Sequence, residues 1–314
     1  MNTPSNVPPA PPLESRVAAP PIKAANDLMY WSIRRELWEN RSITIAPLAV
    51  AAFALFILLM TAFGLPHKMR NLPTLDAAKR HAAVVSHFSV APTVIMVTTI
   101  LVGIFYSLDA LYGERRDRSI LFWKSLPVSD LTTVLSKAAI PLVVLPLIGF
   151  ALSVATQLIL LLWSTVVLMG SGMSPAPLWA ELRLLEMPVT EVYGIGVFTL
   201  WHAPMYGWLL LVSAWAKRTP ILWAVLPIVV ISVVERVTFQ TSYFGSLLMY
   251  RFMGAMTAAF NVKATAKGHY EIIDRFDQLN PLKFLGTPGL WLGLLLAAAF
   301  LAAAVRLRRY REPI

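Results

Sequence analysis

Residues 43–65 read ITIAPLAVAAFALFILLMTAFGL and contain no Asp, Glu, Lys or Arg. An α-helix rises about 1.5 Å per residue, so a run of this length crosses a hydrocarbon core of about 30 Å. Five more apolar runs follow, at 90–111, 138–169, 192–214, 221–234 and 290–307. The sequence therefore predicts an all-α, polytopic membrane protein with six transmembrane helices. The third run is too long for one upright span, so we expect it to tilt, project beyond the bilayer, or bend at Pro141 and Pro146.

The composition of the whole chain supports this interpretation. Of its 314 residues, 57% are hydrophobic and 14% are charged, and the formal net charge is +10. A soluble domain has about 25% charged residues, so that class is excluded. The chain has no cysteine, which excludes disulfides, thiolate metal sites and a cysteine nucleophile.

Polar segments flank the predicted spans. Residues 1–25 are rich in proline, which predicts a disordered cytoplasmic tail. Residues 26–42 place aromatic and polar side chains on opposite sides of a helix. This pattern predicts an amphipathic helix in the membrane interface, and a polar, tryptophan-anchored lead-in to the first span is the alternative. The transmembrane domain is predicted over 43–308, and 309–314 form a basic cytoplasmic tail.

Lysine and arginine are concentrated on one side of the predicted spans. Their distribution in the short loops predicts that both termini are cytoplasmic. Residues 239–260 have an apolar helical pattern with Arg251 near the middle. Counting this segment as a seventh span would place the basic C-terminal tail outside. We therefore expect an outer helical segment that dips or lies flat, with a seventh span as the alternative.

The usual motifs for chemistry are missing from the sequence. It has no GxxxxGK[ST] phosphate loop, so any ATP would have to bind another chain. The five histidines are scattered without metal-ligand spacing, and no serine lies in a GxSxG motif. His202 lies inside the fourth predicted span, where bonding to a backbone carbonyl freed by Pro204 is favoured over a proton relay. We expect no catalytic residue, no metal, and no nucleic-acid partner.

The connection between the second and third spans, residues 112–137, reads YGERRDRSILFWKSLPVSDLTTVLSK. It contains a charged cluster at 114–118, then a short apolar helix at 119–123, and Ser129 or Asp130 as the N-cap of the next helix. An exposed apolar helix favours docking into the membrane or a partner protein. A solvated positive loop with an interfacial tryptophan is an equal alternative.

This segment resembles the membrane subunits of ABC transporters of the type-2 exporter permease family. The matching residues are Glu114-Arg115, Leu126-Pro127-Val128-Ser129 and Ser136-Lys137, and the order of the elements is similar from Asp27 to the C-terminus. Asp117-Arg118-Ser119 stands where many members have a glycine. The resemblance implies a permease in a bacterial inner membrane, paired with a second and identical permease subunit. It further implies a separate ATP-binding subunit that holds ATP and Mg²⁺, so this chain itself is not an enzyme and binds no cofactor.

The resemblance also assigns roles to particular residues. Residues 114–125 would form a coupling helix seated in a groove of the ATP-binding subunit, and 26–42 would form the connecting helix beside it. The coupling residues would be Glu114, Arg115, Arg116, Arg118, Ile120, Phe122, Trp123 and Lys124, and the connecting-helix residues Trp31, Arg34, Arg35 and Trp38.

The family places the substrate path near spans two and five, at the interface between the two permease subunits. The expected lining is Thr93, Met96, Thr99, Phe105, Trp223 and Val230. Such an apolar set favours a hydrophobic or amphipathic cargo, although the same residues would also serve ordinary helix packing. A secondary ion-coupled transporter or channel without an ATPase is the alternative function. A third is an ATP-driven assembly for extraction or signalling in which no cargo crosses.

Overall fold

The computed structural model describes residues 22–71, 76–125, 128–183, 185–261 and 273–310. Most of the predicted Pro-rich tail, Leu126-Pro127 and most of the basic C-terminal tail lie outside these ranges. The described residues are helical, apart from connecting turns and one isolated antiparallel β-bridge between Phe260 and Leu279.

The α-helices are numbered in chain order. They are α1 (Ile22–Glu39), α2 (Ser42–Thr61), α3 (Leu65–Asn71), α4 (Ala77–Asp109), α5 (Tyr112–Arg116), α6 (Ile120–Ser125), α7 (Asp130–Ala139), α8 (Leu145–Gly170), α9 (Ala176–Glu181), α10 (Glu186–Trp215), α11 (Pro220–Val234), α12 (Tyr243–Ala259), α13 (Pro281–Leu285) and α14 (Pro288–Tyr310).

Six helical segments of the described chain are long and apolar enough to cross a membrane. They are Ser42–Arg70, Lys79–Arg116, Asp130–Gly170, Ala176–Trp215, Pro220–Phe239 and Pro288–Tyr310. The predicted count of six is therefore confirmed by length and composition, and the chain is a membrane protein. α12 is not among the six segments, and it packs against α10 and α13.

Several spans are longer than their apolar runs. α4 begins at Ala77, well before the predicted start at residue 90, and α10 begins at Glu186 rather than at 192. The first of these extra turns of α4 contains Lys79 and Arg80, which form ion pairs with Asp76 and Glu181, respectively. Charged residues end an apolar run, but they do not end a helix whose backbone hydrogen bonds continue.

The third span contains one turn of π-helix, Ile140–Val144, between α7 and α8. There the amide of Leu145 donates to the carbonyl of Ile140, five residues earlier. Pro146 has no amide hydrogen, so the regular α-helical bonding is interrupted at this position. The interruption lies where the sequence indicated a bend.

The spans pack unequally. α10 is the central helix, with 56% of its most apolar window buried, and its most extensive packing is against α14. α2, α4 and α8 form a second group around Leu58, Phe88 and Leu160. The span that begins with α11 is peripheral, because only 6% of its window is buried. Its exposed side chains are therefore available to contact lipid or another protein chain.

Two predicted helices have different bounds in the structure. The segment predicted as one coupling helix, 114–125, is divided into α5 and α6, because Arg118 between them has a left-handed backbone with φ of 59°. α1 begins at Ile22, inside the predicted 1–25 tail, and ends at Glu39, before the predicted end at 42.

Candidate functional site

Ion pairs between buried side chains connect helices at one end of the molecule. The buried charge network consists of three acids and three bases, Glu36, Glu114, Asp130, Arg35, Lys137 and Arg308. The formal charges of these six residues cancel, which offsets the cost of withdrawing charged groups from water. Arg35 and Asp130 are half-buried, and Arg35 also lies 3.7 Å from the exposed carboxylate of Glu39. The six residues come from α1, α5, α7 and α14, so the network joins α1 to the ends of the second, third and sixth spans.

Lys137 and Glu36 form the centre of this network. Lys137 Nζ donates to Glu36 Oε1 at 2.8 Å, and both side chains are almost completely buried, at 3% and 0% exposure. The Tyr106 hydroxyl donates to the other oxygen, Glu36 Oε2, at 2.8 Å, and Arg35 Nη2 donates to Oε1 at 2.8 Å. Burial alone raises the pKa of Glu36. The ammonium of Lys137 and these three hydrogen bonds outweigh burial and hold the pKa below its ordinary value.

Glu114 connects Lys137 to the sixth span. Its Oε1 lies 3.2 Å from Lys137 Nζ, and its Oε2 accepts from Arg308 Nη2 at 3.0 Å. Arg308 Nη1 also donates to Asp130 Oδ1 at 2.5 Å. The structure thus brings together Glu114 and Lys137, two residues on which the family resemblance rests. Their charges are neutralised inside this chain.

Arg115 extends the contacts to the fourth span. Its Nη1 donates to the carbonyls of Ala214 and Ala216 at 2.7 and 3.1 Å, at the end of α10. Beside it, the Ser213 hydroxyl accepts from the amides of Leu111 and Tyr112. These bonds satisfy backbone groups that the two helix ends leave free, and they hold the end of span two against the end of span four.

The α5–α6 connection also presents a surface to the outside. Leu121 and Phe122 are about equally exposed, Phe122 at 60%, and Arg116 and Arg118 are exposed beside them. Ile120 is buried and anchors α6, while Trp123 lies under the Arg35 guanidinium at 3.9 Å from the ring centroid. We call Arg116, Arg118, Leu121 and Phe122 the α6 surface.

The predicted coupling residues therefore fall into two groups. Glu114, Arg115 and Ile120 are buried within this chain, and Trp123 is half-buried against Arg35. Arg116, Arg118, Phe122 and Lys124 are exposed, although Lys124 also donates to the Arg309 carbonyl at 3.4 Å. Sequence reasoning did not separate these groups, because the residues of both alternate within one short segment. Ser129 is the N-cap of α7, accepting from the Thr132 amide, as one of the two predicted caps.

α1 is oriented with its polar side toward the protein. Ser32 and Glu36 are buried, whereas Trp31 and Trp38 are exposed. Arg34 lies between the two tryptophans, with its guanidinium carbon 5.1 and 4.8 Å from their ring centroids. Charged and aromatic groups in this arrangement are typical of the membrane–water interface.

A cavity of about 390 Å³ lies between α4, α8, α10 and α12. Among the residues predicted for a substrate path, Thr93, Met96 and Thr99 line it. Phe105, Trp223 and Val230 do not line it and are exposed on the outer surfaces of α4 and α11. The structure therefore divides the predicted path between an internal cavity and an outer face.

The cavity contains an acid that sequence reasoning missed. Glu191 lines the cavity close to Ser153. The apolar run that predicts the fourth span begins at residue 192, one position later. The position of Glu191 directly before this run was the available signal, because a helix that continues beyond its apolar run contains the acid as well.

His202 is buried, and its Nδ1 lies 2.9 Å from the carbonyl of Phe198. The ring bonds to backbone as expected, but to Phe198 and not to the carbonyl that Pro204 leaves free. In the described part of the chain, no group of three His, Asp or Glu side chains is placed to hold a metal ion.

Comparisons with family models, curated proteins and solved structures find no match to this chain.

Proposed function

We propose that this chain is the membrane-spanning permease subunit of an ATP-driven exporter, and that a separate ATP-binding subunit docks on the α6 surface. One observation supports this most: an exposed apolar pair, Leu121 and Phe122, lies on α6, shortly after α5, whose Glu114 forms buried ion pairs with Lys137 and Arg308. Large apolar side chains on a polar connection are stabilised when a partner covers them. The exposed Arg118 favours a partner groove with acidic residues. Arg116 is also exposed but pairs with Asp117 at 2.9 Å and with Asp109 at 3.7 Å.

The buried charge network connects the proposed docking surface to the helices of the membrane domain. Trp123 on α6 contacts Arg35, which bonds to Glu36, and Glu36 bonds to Lys137 on α7. Glu114, at the start of the connection, bonds to Arg308 on α14. A displacement of α6 by ATP-driven closure of the partner would therefore move α1, α7 and α14 together. ATP and Mg²⁺ would be held by the partner.

The proposed orientation places the α5–α6 connection and both termini in the cytoplasm of a bacterial cell, with the chain in the inner membrane. α1 then is the connecting helix and lies in the inner interface. Trp31, Trp38 and Arg34 face headgroups, and Glu36 faces the protein. The basic end of α14, with Arg308 and Arg309, is cytoplasmic in this orientation, in agreement with the positive-inside rule.

The second subunit is proposed to be an identical chain. Phe105 on α4 and Trp223 and Val230 on α11 are exposed apolar residues on poorly packed faces. Two copies joined there would enclose a path between them for a hydrophobic or amphipathic cargo. Lipid would cover the same faces in the isolated chain.

Co-purification from the native host tests docking. We expect the tagged chain to recover an ATP-binding subunit in equal amounts. Arg116→Glu combined with Phe122→Ala should abolish recovery while leaving membrane insertion unchanged, because both residues are exposed. Arg115 is left intact, since its bonds to Ala214 and Ala216 stabilise the fold.

Leu185→Ala is the matched control, because Leu185 is also highly exposed but lies far along the chain from the connection. It should retain the ATP-binding subunit. Undiminished recovery with the double variant, or recovery of no ATP-binding subunit by the wild-type chain, would contradict the proposal.

An ion-coupled carrier without an ATPase is the second candidate, and the observation that favours it is Glu191. Acids inside membrane spans are typical of ion and proton pathways. The two candidates differ in their energy source. Uptake into inside-out vesicles should require ATP for the exporter, and should persist without ATP but collapse with the ion gradient for the carrier.

A further inference from the structure

The cavity between α4, α8, α10 and α12 is lined by acidic side chains and by no basic ones among the described residues. Its described lining includes two carboxylates, Glu191 and Asp274, and no lysine, arginine or histidine. Asp274 is paired with His81, whose Nε2 lies 2.7 Å from Asp274 Oδ2. Glu191 has no salt bridge among the described residues, and the nearby polar group that interacts with it is the hydroxyl of Ser153. One carboxylate therefore faces the cavity without a compensating cation.

The rest of the lining is suited to an apolar body. It includes large aromatic and thioether side chains, namely Phe150, Phe198, Tyr206, Phe260, Met96, Met187 and Met256. Aromatic faces attract cations, and methionine adapts its shape to irregular ligands. Thr93 and Gln157 add hydrogen-bonding groups to the lining.

The size and shape of the cavity also fit a small organic molecule. Its volume of about 390 Å³ is within the range of about 300–1,000 Å³ found for ligand pockets. On α10 the lining extends from Met187 to Tyr206, which corresponds to about 28 Å of helix. Pro92, Pro141 and Pro146 also line it, and they interrupt the regular bonding of two of its walls.

We propose that this cavity binds a hydrophobic, monovalent organic cation, with its positive charge at Glu191 and its apolar body against the aromatic and methionine side chains. Glu191 is half-buried. A carboxylate partly withdrawn from water is costly to leave unpaired in an apolar site, and a cationic ligand supplies the missing charge. A neutral lipid would leave the carboxylate unpaired, and an anion would be repelled by it. That such a cation is the transported cargo rests on the proposed transport function, whereas its binding does not.

Binding of tetraphenylphosphonium to the full chain in lipid nanodiscs is the test, with empty nanodiscs subtracted to remove partitioning into lipid. Tetraphenylborate is the matched probe, because it has the same shape and the opposite charge. We expect saturable binding of the phosphonium and none of the borate. Glu191→Gln preserves the size of the side chain and should weaken phosphonium binding at least tenfold.

Glu186→Gln is the matched control, since Glu186 is on the same helix but pairs with Arg183 and does not line the cavity. It should bind the phosphonium as the wild type does. Equal binding of both probes, equal affinity of Glu191→Gln and the wild type, or the absence of saturable binding would overturn the proposal. The binding experiment uses this chain alone, without an ATP-binding subunit. Its outcome therefore does not depend on whether the docking proposal is correct.

Discussion

At the scale of single residues, Lys137 is the cation on which the buried charge network depends. It contacts two carboxylates, Glu36 at 2.8 Å and Glu114 at 3.2 Å, and neither has enough exposed surface to be stabilised by water instead. The sequence predicted Lys137 near the cytoplasmic end of the third span. It predicted Glu36 on the polar side of the amphipathic helix that precedes the first span. It gave no indication that the two pair, because about a hundred residues separate them along the chain.

Replacing Lys137 should therefore destabilise the protein strongly. Lys137→Met retains most of the side-chain volume but removes the buried cation that Glu36 and Glu114 share, so that Arg35 alone remains paired with Glu36. One negative charge of the network is then uncompensated, and breaking a buried pair costs about 3–5 kcal/mol. Thermal unfolding of the chain in nanodiscs, followed by tryptophan fluorescence, measures the loss. Adding Glu36→Gln to Lys137→Met should recover part of it, because the unpaired charge is removed.

Lys79→Met is the control for the loss of a lysine, since the Lys79 side chain is 71% exposed. Its unfolding temperature should stay close to that of the wild type. A Lys137→Met variant as stable as Lys79→Met would refute the structural importance of the pair.

The ionisation of Glu36 predicts a dependence of stability on pH. Its pKa in the folded protein is below the ordinary value of 4.5, because the stabilising contacts outweigh burial. A carboxyl with a depressed pKa stabilises the fold fully above its unfolded pKa and loses this contribution as the pH falls through the folded pKa. The unfolding temperatures of the wild type and Glu36→Gln should thus differ at neutral pH and converge below about pH 4.5. A difference that stays constant throughout the acid titration would contradict this assignment.

At the scale of elements, the packing of α10 against α14 depends on a glycine. A Cβ atom at Gly207 would lie 3.3 Å from the carbonyl oxygen of Ala297 and 3.4 Å from its Cα. Small residues allow helix backbones to approach closely, and this is a main source of helix association within membranes.

Gly207→Leu should push α14 away from α10. Overpacking of this kind costs about 1–3 kcal/mol, and thermal unfolding measures it. Gly196→Leu on the same helix is the control, because nothing lies within 4 Å of a Cβ there. Equal unfolding temperatures for the two variants would mean that the close approach does not contribute to stability.

The sequence predicted the elements better than their ends. Apolar runs indicated the six spans, since the length of the hydrocarbon core sets the length of the run. They did not indicate that α4 and α10 continue through charged residues. In α4, Arg80 pairs with Glu181 on α9, and in α10, Glu186 pairs with Arg183 three residues earlier.

The residue pattern separated the charged cluster at 114–118 from a short helix at 119–123, next to the break at Arg118. The single coupling helix over 114–125, which the family resemblance implied, does not contain this break, because a left-handed backbone at arginine has no clear sequence signal.

At the scale of the whole molecule, the orientation in the membrane can be measured directly because the chain has no cysteine. Ser125 and Ser171 are both exposed and lie at opposite ends of the third span. In intact cells, a membrane-impermeant maleimide should label Ser171→Cys, and it should label Ser125→Cys only after the cells are opened. The reverse pattern would place the α6 surface outside and exclude docking of a cytoplasmic partner.

The assembly of the molecule was less predictable than its spans. The charge of the short loops and the resemblance at 112–137 led to the proposed permease, and the exposed Phe122 agrees with a docking role. The same resemblance predicted that Glu114 and Arg115 contact the ATP-binding subunit. In the structure both side chains are buried by contacts with distant residues of this chain. Only the folded structure brings together side chains so far apart in sequence.

Site-specific photocrosslinking at the α6 surface tests the proposed function most directly. A photoreactive amino acid at Phe122 in the full chain, expressed in its native host, should form a crosslink to an ATP-binding protein on irradiation. The same amino acid at the highly exposed Leu185 should form no such crosslink. Crosslinks from position 122 to lipid alone, or to proteins that do not bind ATP, would contradict the account.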